Sequence, residues 1–239
     1  MNKQPAEKAT ISLDGTLQLH SIFQTIQGEG PFTGHPAVFI RLAGCNLQCP
    51  LCDTDYTSDR VVVTLHQIIE AVSRHSFNGL VVITGGEPFR QNITPLCQLL
   101  INEGYFVQIE TNGTLSPSYT ILDICSFDTS KKKGVYIVCS PKTGRVNAML
   151  QGVICAYKYV LTDGYIDRKD GLPTQVLDHP TGLFGVARPH TGYDGPVYVQ
   201  PADLKNSIDN QWNLEATIRS CINHGYILQL QLHKLIGMD

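Results

Sequence analysis

Cys45, Cys49 and Cys52 share one short loop with the spacing C-x3-C-x2-C, and no fourth ligand accompanies them nearby. A 4Fe-4S cluster held by four thiolates normally passes electrons, whereas three thiolates leave one iron open to a substrate or cofactor. The spacing therefore predicts chemistry at the cluster itself. A structural zinc knuckle is the competing reading. Zinc sites typically use four protein ligands, often as two separated pairs, and the chain has no second C-x2-C and no H-x3-H group. On spacing alone, His20, His35 and His66 stay open as a fourth ligand.

A second segment with chemical potential is Thr84-Gly85-Gly86-Glu87-Pro88, directly after the apolar run Leu80–Ile83. Two glycines let a backbone edge approach a ligand closely, and Glu87 can accept a hydrogen bond from a bound ammonium or amine. In isolation the same residues read as an ordinary strand-to-helix turn; beside the cysteine loop they predict a cofactor site. Arg41 stands inside the apolar run Val38–Leu42. A guanidinium there needs a carboxylate or several acceptors, supplied either by a ligand or by a salt bridge to Glu29, Glu87 or Glu110.

The elements that must position these groups are short apolar runs ending in Gly, Pro and charged residues: Ala37–Leu42, Leu80–Thr84, Tyr105–Glu110, Val135–Ser140, Ile154–Leu161, Val197–Gln200 and Tyr226–Leu232. Helical stripes lie between several of them. Leu65, Ile68, Ile69 and Val72 form one; Leu96, Leu99 and Leu100 form a second, closed by Gly104; Leu214, Ile218, Cys221 and Ile222 form a third, closed by Gly225. Such alternation means βαβ crossovers and a parallel sheet. Strands outnumber helices, which predicts an α/β fold built as an open, partial (β/α) barrel. Ligand-binding loops then fall at the strand C-termini. Asp14-Gly15, between Ile11–Leu13 and Thr16–Phe23, predicts a short N-terminal β-hairpin. The terminal run Tyr226–Leu232 alternates like a strand with one buried face, and residues 162–195 carry no sustained period.

At 239 residues with 42% hydrophobic content, the chain fits a single catalytic domain over 11–239, with 1–10 as a disordered extension. The net charge of −3 gives no reason to expect nucleic acid as a partner. No stretch approaches the roughly 20 apolar residues of a membrane span, and Met1–Lys8 is polar with no apolar run after it, so a cytoplasmic protein is expected. Cys97, Cys125, Cys139, Cys155 and Cys221 are scattered through apolar stretches and read as plain buried thiols, not a disulfide framework.

Together, the cysteine loop and Gly85-Gly86-Glu87-Pro88 resemble the radical S-adenosylmethionine enzymes. Reading outward, Phe23–Gly30, Arg41, Cys52-Asp53-Thr54, Ile109–Gly113, Ser140-Pro141-Lys142, Gln200-Pro201 and Leu232-His233-Lys234 resemble the 7-carboxy-7-deazaguanine synthase family. The resemblance runs from Phe23 to the C-terminal residues; residues 1–10 and 162–195 stand outside it. It implies a lyase that rearranges 6-carboxy-5,6,7,8-tetrahydropterin to 7-carboxy-7-deazaguanine with loss of ammonia, on the route to queuosine-type bases. A 5′-deoxyadenosyl radical from S-adenosyl-L-methionine would start the ring contraction. The family also implies Mg2+, a homodimer and a one-electron reductant such as a flavodoxin.

Transferred by position, the resemblance assigns Cys45, Cys49 and Cys52 to the cluster and the Thr54 hydroxyl to Mg2+. Gly86, Glu87, Ser140, Pro141 and Lys142, with Gln200, Pro201, Ala202 and Asp203, would contact S-adenosylmethionine. Ile26, Gln27, Gly28, Arg41 and Thr84 would contact the pterin, and the α-carboxylate of Asp239 would recognise its guanidine-like edge. On the residues alone, Thr54 reads first as a turn residue, and the tail equally serves as a cover for the sheet. His233 is either a neighbour of the site or a satisfied structural group. A glycyl-radical-enzyme activating protein shares the cysteine spacing and is the nearest alternative; a non-catalytic metal module leaves the glycine and Ser140-Pro141-Lys142 segments unexplained.

Overall fold

The computed structural model describes residues 1–10, 14–75, 79–182 and 185–238. In chain order its elements begin with β1 (Thr16–Ile26), β2 (Pro36–Leu42), β3 (Val61–Thr64), α1 (Leu65–Ser73), β4 (Leu80–Gly85), α2 (Thr94–Asn102) and β5 (Phe106–Thr111). Then follow α3 (Tyr119–Leu122), β6 (Val135–Cys139), α4 (Ala148–Gln151), β7 (Ile154–Leu161), β8 (Val197–Pro201), α5 (Ser207–His224), β9 (Ile227–Leu228) and α6 (Leu232–Leu235). The strands form one nine-stranded sheet in the order β3-β1-β2-β4-β5-β6-β7-β8-β9. β1 runs antiparallel to both its neighbours, and every pairing from β2 to β9 is parallel. The sheet ends at β3 and β9 and does not close, as the excess of strands over helices predicts.

Period-two alternation divides the sheet into two faces. Val38, Ile40 and Leu42 of β2, Val81 and Ile83 of β4 and Val107 and Ile109 of β5 join the main core. On that side Ile68 and Val72 of α1 and Leu96, Cys97 and Leu100 of α2 cover the strands. The opposite face is apolar only near the strand N-termini, where Leu80, Val82, Phe106 and Tyr136 close around Phe32. Phe32 sits edge-on to Phe106 and Tyr136 with ring centroids 5.1 and 4.9 Å away. Further along the strands this inner face turns polar.

Several sequence expectations are revised. Residues 11–13 of the predicted hairpin lie outside the described residues; the described partners of β1 are β2 and β3. The third helical stripe marks the wrong face of α5: Ile222 is exposed, and the buried positions are Asn213, Ala216, Thr217 and Ser220. Small polar residues can pack there because their own groups are satisfied. Asn213 Nδ2 donates to Ala202 O at 2.9 Å and Ser220 Oγ donates to Gly171 O at 2.6 Å. The terminal run keeps only Ile227 and Leu228 as strand, both exposed, while the buried Gln229 donates to Thr33 Oγ1 at 2.8 Å. Polar tethers, not an apolar face, dock the C-terminal segment.

The first ten residues, expected as a disordered extension, lie against the cysteine loop; Glu7 N–H donates to Cys45 O at 2.7 Å. In the aperiodic 162–195 region, Arg188 donates to Asp170 Oδ2 at 2.7 Å and to Pro173 O at 2.7 Å. That clamp brings Leu177 to the cysteine loop, where its carbonyl accepts from Leu51 N–H at 3.2 Å. Among the described residues no helix is long and apolar enough to cross a membrane.

Candidate active site

The polar inner face takes residues from successive parallel strands. Arg41 of β2 pairs in register with Thr84 of β4, Glu110 of β5 follows, Ser140 leaves the end of β6, and Lys158 and Gln200 come from β7 and β8. All six line one cavity of about 580 Å³. Glu110 accepts from Thr84 Oγ1 at 3.2 Å, Gln27 Nε2 at 3.1 Å and Gln108 Nε2 at 3.1 Å. Deeper in, the Lys158 ammonium donates to Glu29, which also accepts from Gln231 Nε2 at 2.8 Å and Gln200 Nε2 at 3.3 Å. Burial by itself would push the Glu29 carboxyl up. The Lys158 charge and the bonds from Lys158 and Gln231 outweigh it and hold the carboxyl well below its usual range.

The cysteine loop leaves β2 through Gly44, whose φ of +83° suits glycine. Cys45, Cys49 and Cys52 all line the cavity and all are free thiols. Asn46 fixes the loop from the side: its Oδ1 accepts from Asn112 Nδ2 at 2.9 Å and its Nδ2 donates to Thr114 Oγ1 at 2.8 Å. Burial pushes the Cys45 thiol up to about 12 and the Cys49 thiol to about 11, with Lys142 opposing the rise at Cys49. Metal binding must therefore displace these protons. Three free thiols on one short loop, all facing one cavity, are the donor set that a 4Fe-4S cluster with an open iron takes.

Gly86 sets the distance between the two loops. A Cβ there would lie 2.2 Å from Gly44 O and 2.7 Å from the Cys45 Cβ. Gly86→Ala is expected to push the cysteine loop outward at a cost of about 1–3 kcal/mol and to lower the iron retained after reconstitution. Iron and sulfide analysis against the parent checks this, and parent-like iron would show that the two loops need not touch.

The structure brings most of the sequence-identified residues together. Ile26, Gln27, Arg41, Thr54, Thr84 and Gly86 line the cavity, as do Ser140, Lys142, Gln200, Pro201 and Asp203. Arg41 has no carboxylate partner among the described residues; its guanidinium carbon rests 5.5 Å from the centroid of the Phe23 ring. The expected alternative of a salt bridge to Glu29, Glu87 or Glu110 is therefore not what is seen. Thr54 follows the Cys52 thiol, which donates to Thr54 O at 3.9 Å. Gly28 stands behind the wall, where a Cβ would fall 2.0 Å from His233 Nδ1. Pro141 and Ala202 support the lining without belonging to it. Asp239 lies outside the described residues.

Glu87 needs a correction. It is fully buried and does not line the cavity. Its carboxylate accepts from Thr111 Oγ1 at 2.7 Å, Asn112 N at 2.7 Å and Phe89 N at 3.0 Å. Its acceptors are committed to joining its own loop to the end of β5, so its side chain is not placed to meet a ligand's ammonium. Conversely, sequence reasoning passed over Lys158 and the Lys234 bridge, in which Nζ meets Asp53 at 3.1 Å and Asp203 at 3.0 Å. The available signal for Lys158 was a lone cation inside Ile154–Leu161, a run otherwise fit only for burial.

His20, Thr25 and Gln200 also line the cavity. Comparison with known proteins agrees with the cysteine chemistry. Over 228 aligned residues, 92% of this chain and 92% of the relative, the sequence is 40% identical to the 7-carboxy-7-deazaguanine synthase of Rhodospirillum rubrum. The chain belongs to the 7-carboxy-7-deazaguanine synthase family. The Rickettsia prowazekii 7-carboxy-7-deazaguanine synthase is 37% identical, with 98% of this chain and 94% of that relative covered. The fold is similar to the crystal structure of QueE from Escherichia coli, with a TM-score of 0.64 at 23% identity over 90% of this chain and 94% of that one. No protein-family model matches the chain.

Proposed function

We propose that this member of the 7-carboxy-7-deazaguanine synthase family converts 6-carboxy-5,6,7,8-tetrahydropterin to 7-carboxy-7-deazaguanine with loss of ammonia, by radical ring contraction in 7-deazaguanine biosynthesis. The observation that carries this reading is that the three-cysteine loop and the unpaired Arg41 guanidinium open into the same cavity. When bound, a 4Fe-4S cluster and S-adenosyl-L-methionine supply the one-electron chemistry that starts hydrogen removal from the substrate. Cys45, Cys49 and Cys52 would hold the cluster. Ser140, Lys142, Gln200, Pro201 and Asp203 would hold S-adenosylmethionine, with Gly86 leaving room for it. Among the described residues Lys142 donates to Ser140 O at 2.8 Å and Ser140 Oγ at 2.5 Å and to no carboxylate, so its charge is available to the cofactor's carboxylate.

Arg41 takes the substrate carboxylate, while Ile26, Gln27 and Thr84 border the pterin and Glu110 offers an acceptor to its N–H edge. The Lys158–Glu29 pair stays ionised through the neutral range, so it fixes Gln200 and Gln231 and does not itself titrate. Thr54 would give its hydroxyl to Mg2+, a hard ion that prefers oxygen and keeps several waters. A one-electron reductant such as a flavodoxin, a homodimer and a cytoplasmic location complete the proposal. Gln231, His233 and Met238 of the C-terminal segment line the same cavity, which favours a small substrate over the protein partner of a glycyl-radical activator.

Anaerobically reconstituted protein given S-adenosylmethionine and a reductant should form 5′-deoxyadenosine and convert the pterin only with Mg2+ present. Ample cofactor cleavage without deazaguanine would remove the substrate assignment and leave the radical chemistry standing. Arg41→Gln should lose a charge-assisted pair of about 1.5–3 kcal/mol, or about 10–150-fold in kcat/KM, mainly through KM. Its melting temperature should hold, since Arg41 rests on the Phe23 ring and has no ionic partner among the described residues to orphan. An unchanged KM would place the substrate carboxylate elsewhere.

A further inference from the structure

Residues 1–10 carry none of the family motifs and bury no side chain completely, yet their hydrogen bonds converge on the loop that holds the three cysteines. Asn2 N–H donates to Pro50 O at 2.7 Å, and Asn2 Nδ2 donates to Cys49 O at 3.2 Å. Gln4 Nε2 donates to Thr54 O at 2.9 Å, while Gln4 Oε1 accepts from Tyr56 N at 2.7 Å and Thr57 Oγ1 at 3.1 Å. Ala6 forms a parallel bridge with Cys45, whose carbonyl accepts from Glu7 N–H. An irregular loop has no sheet or helix ladder for these carbonyls, and this segment supplies their partners.

A second anchor lies under the start of the loop. Arg90 is 1% exposed and donates to Ala43 O at 3.0 Å, Lys8 O at 3.1 Å and Gln18 Oε1 at 2.5 Å. Its guanidinium fills the space beneath Gly44, where a Cβ would fall 2.4 Å away. Glu7 is the one carboxylate within ion-pair reach of Arg90 among the described residues, at 3.4 Å, and it also pairs with Arg60 at 2.5 Å. The same segment thus holds both the carbonyls of the cysteine loop and the cation beneath its first turn.

We propose that residues 2–10 are a clasp that fixes the cluster loop, with Gln4 and Glu7 as positioning residues that keep Cys45, Cys49 and Cys52 at the separations a 4Fe-4S cluster needs. The inference rests on the proposed cluster. Groups that orient metal ligands without binding the metal typically carry about 10–100-fold in metal affinity, and the clasp acts in that way. It adds little to the core, so its loss is felt by the cluster more than by the fold.

The test uses full-length parent, Gln4→Ala and Glu7→Ala protein, each reconstituted anaerobically. Iron and sulfide content, the rate of cluster bleaching on exposure to air, the electron paramagnetic resonance spectrum of the reduced cluster and the melting of the iron-free protein are measured. Gln4→Ala should bleach about tenfold faster with a broadened or shifted spectrum, while its iron-free form melts with the parent. Glu7→Ala should do the same with some loss in melting temperature, because it leaves Arg90 unpaired. Parent-like bleaching and spectra in Gln4→Ala overturn the clasp, as does an iron-free Gln4→Ala protein that fails to fold, which would make the segment part of the core. A parent that takes up no iron and sulfide overturns the cluster reading and the clasp with it, an outcome distinct from either of these.

Discussion

Cys49→Ala protein is expected to fold, to emerge from anaerobic reconstitution with under about a tenth of the parent's iron, and to cleave no S-adenosylmethionine. Cys49 sits in an irregular loop, and its thiol makes no hydrogen bond to the core of the sheet. Removing it costs the fold little, so iron-free variant and parent should melt within a few degrees of each other. No other cysteine can stand in: Cys125 and Cys221 pack half-buried against the main core, away from the loop. Cys97 and Cys139 are buried among the apolar residues of the helix-covered face, and Cys155 packs in the apolar cluster around Phe32. Two remaining thiols would leave the cluster with too few ligands to assemble. Iron and sulfide analysis with absorption near 400 nm decides the matter. If the variant keeps parent-like iron, the cluster is somewhere other than this loop, and the function built on it goes too.

The cysteine loop stood out in the sequence because metal chemistry dictates both residue type and spacing, and the structure brings Cys45, Cys49 and Cys52 to one cavity. The strands were legible for a related reason. Val81, Ile83, Val107 and Ile109 must face the helices, and that demand writes a period into the chain. Elsewhere tertiary packing overrode the local pattern. The α5 stripe failed because Asn213, Thr217 and Ser220 are buried by satisfied hydrogen bonds, which hydrophobic periodicity does not register. Glu87 was read from its motif as a ligand group, although its loop needs its carboxylate more. The first ten residues were read as a disordered extension because their composition is polar, which gives no sign of the hydrogen bonds that the segment makes to the cysteine loop. Composition reports apolar burial and is silent about a neighbour's unpaired carbonyls.

The same logic explains why catalytic geometry sits at one end of the sheet. Each inner-facing strand position near the C-terminus is freed from core packing, because the apolar plug around Phe32 already closes the other end. Arg41, Thr84, Glu110, Lys158 and Gln200 are thereby held by rigid strands while the loops beyond them carry the cysteines and glycines. Strand register sets the spacing of the polar groups, and the loops bring the three cysteines to meet them.

Lys158→Met should be the most destabilising single change at this site. Lys158 and Glu29 are 7% and 8% exposed, and removing one partner of such a pair leaves an uncompensated buried charge at about 3–5 kcal/mol. For a chain of this size that is about 6–20 °C in melting temperature. The double variant Glu29→Gln with Lys158→Met removes both charges and should recover most of the loss, which separates the orphaned carboxylate from lost packing. A pH comparison adds an independent sign. In the parent, the depressed Glu29 carboxyl contributes stability that is present above its unfolded pKa and fades only as pH falls through its folded value, far below neutral. Without Lys158, burial outweighs the remaining bonds from Gln231 and Gln200 and pushes that carboxyl up. A raised carboxyl is best tolerated below its unfolded pKa and costs stability as pH climbs, so the melting deficit of Lys158→Met should be smaller near about pH 5 than near about pH 8. A deficit under about 2 °C at both values would mean that water already reaches the pair, and that Gln200 and Gln231 are held by something other than Glu29.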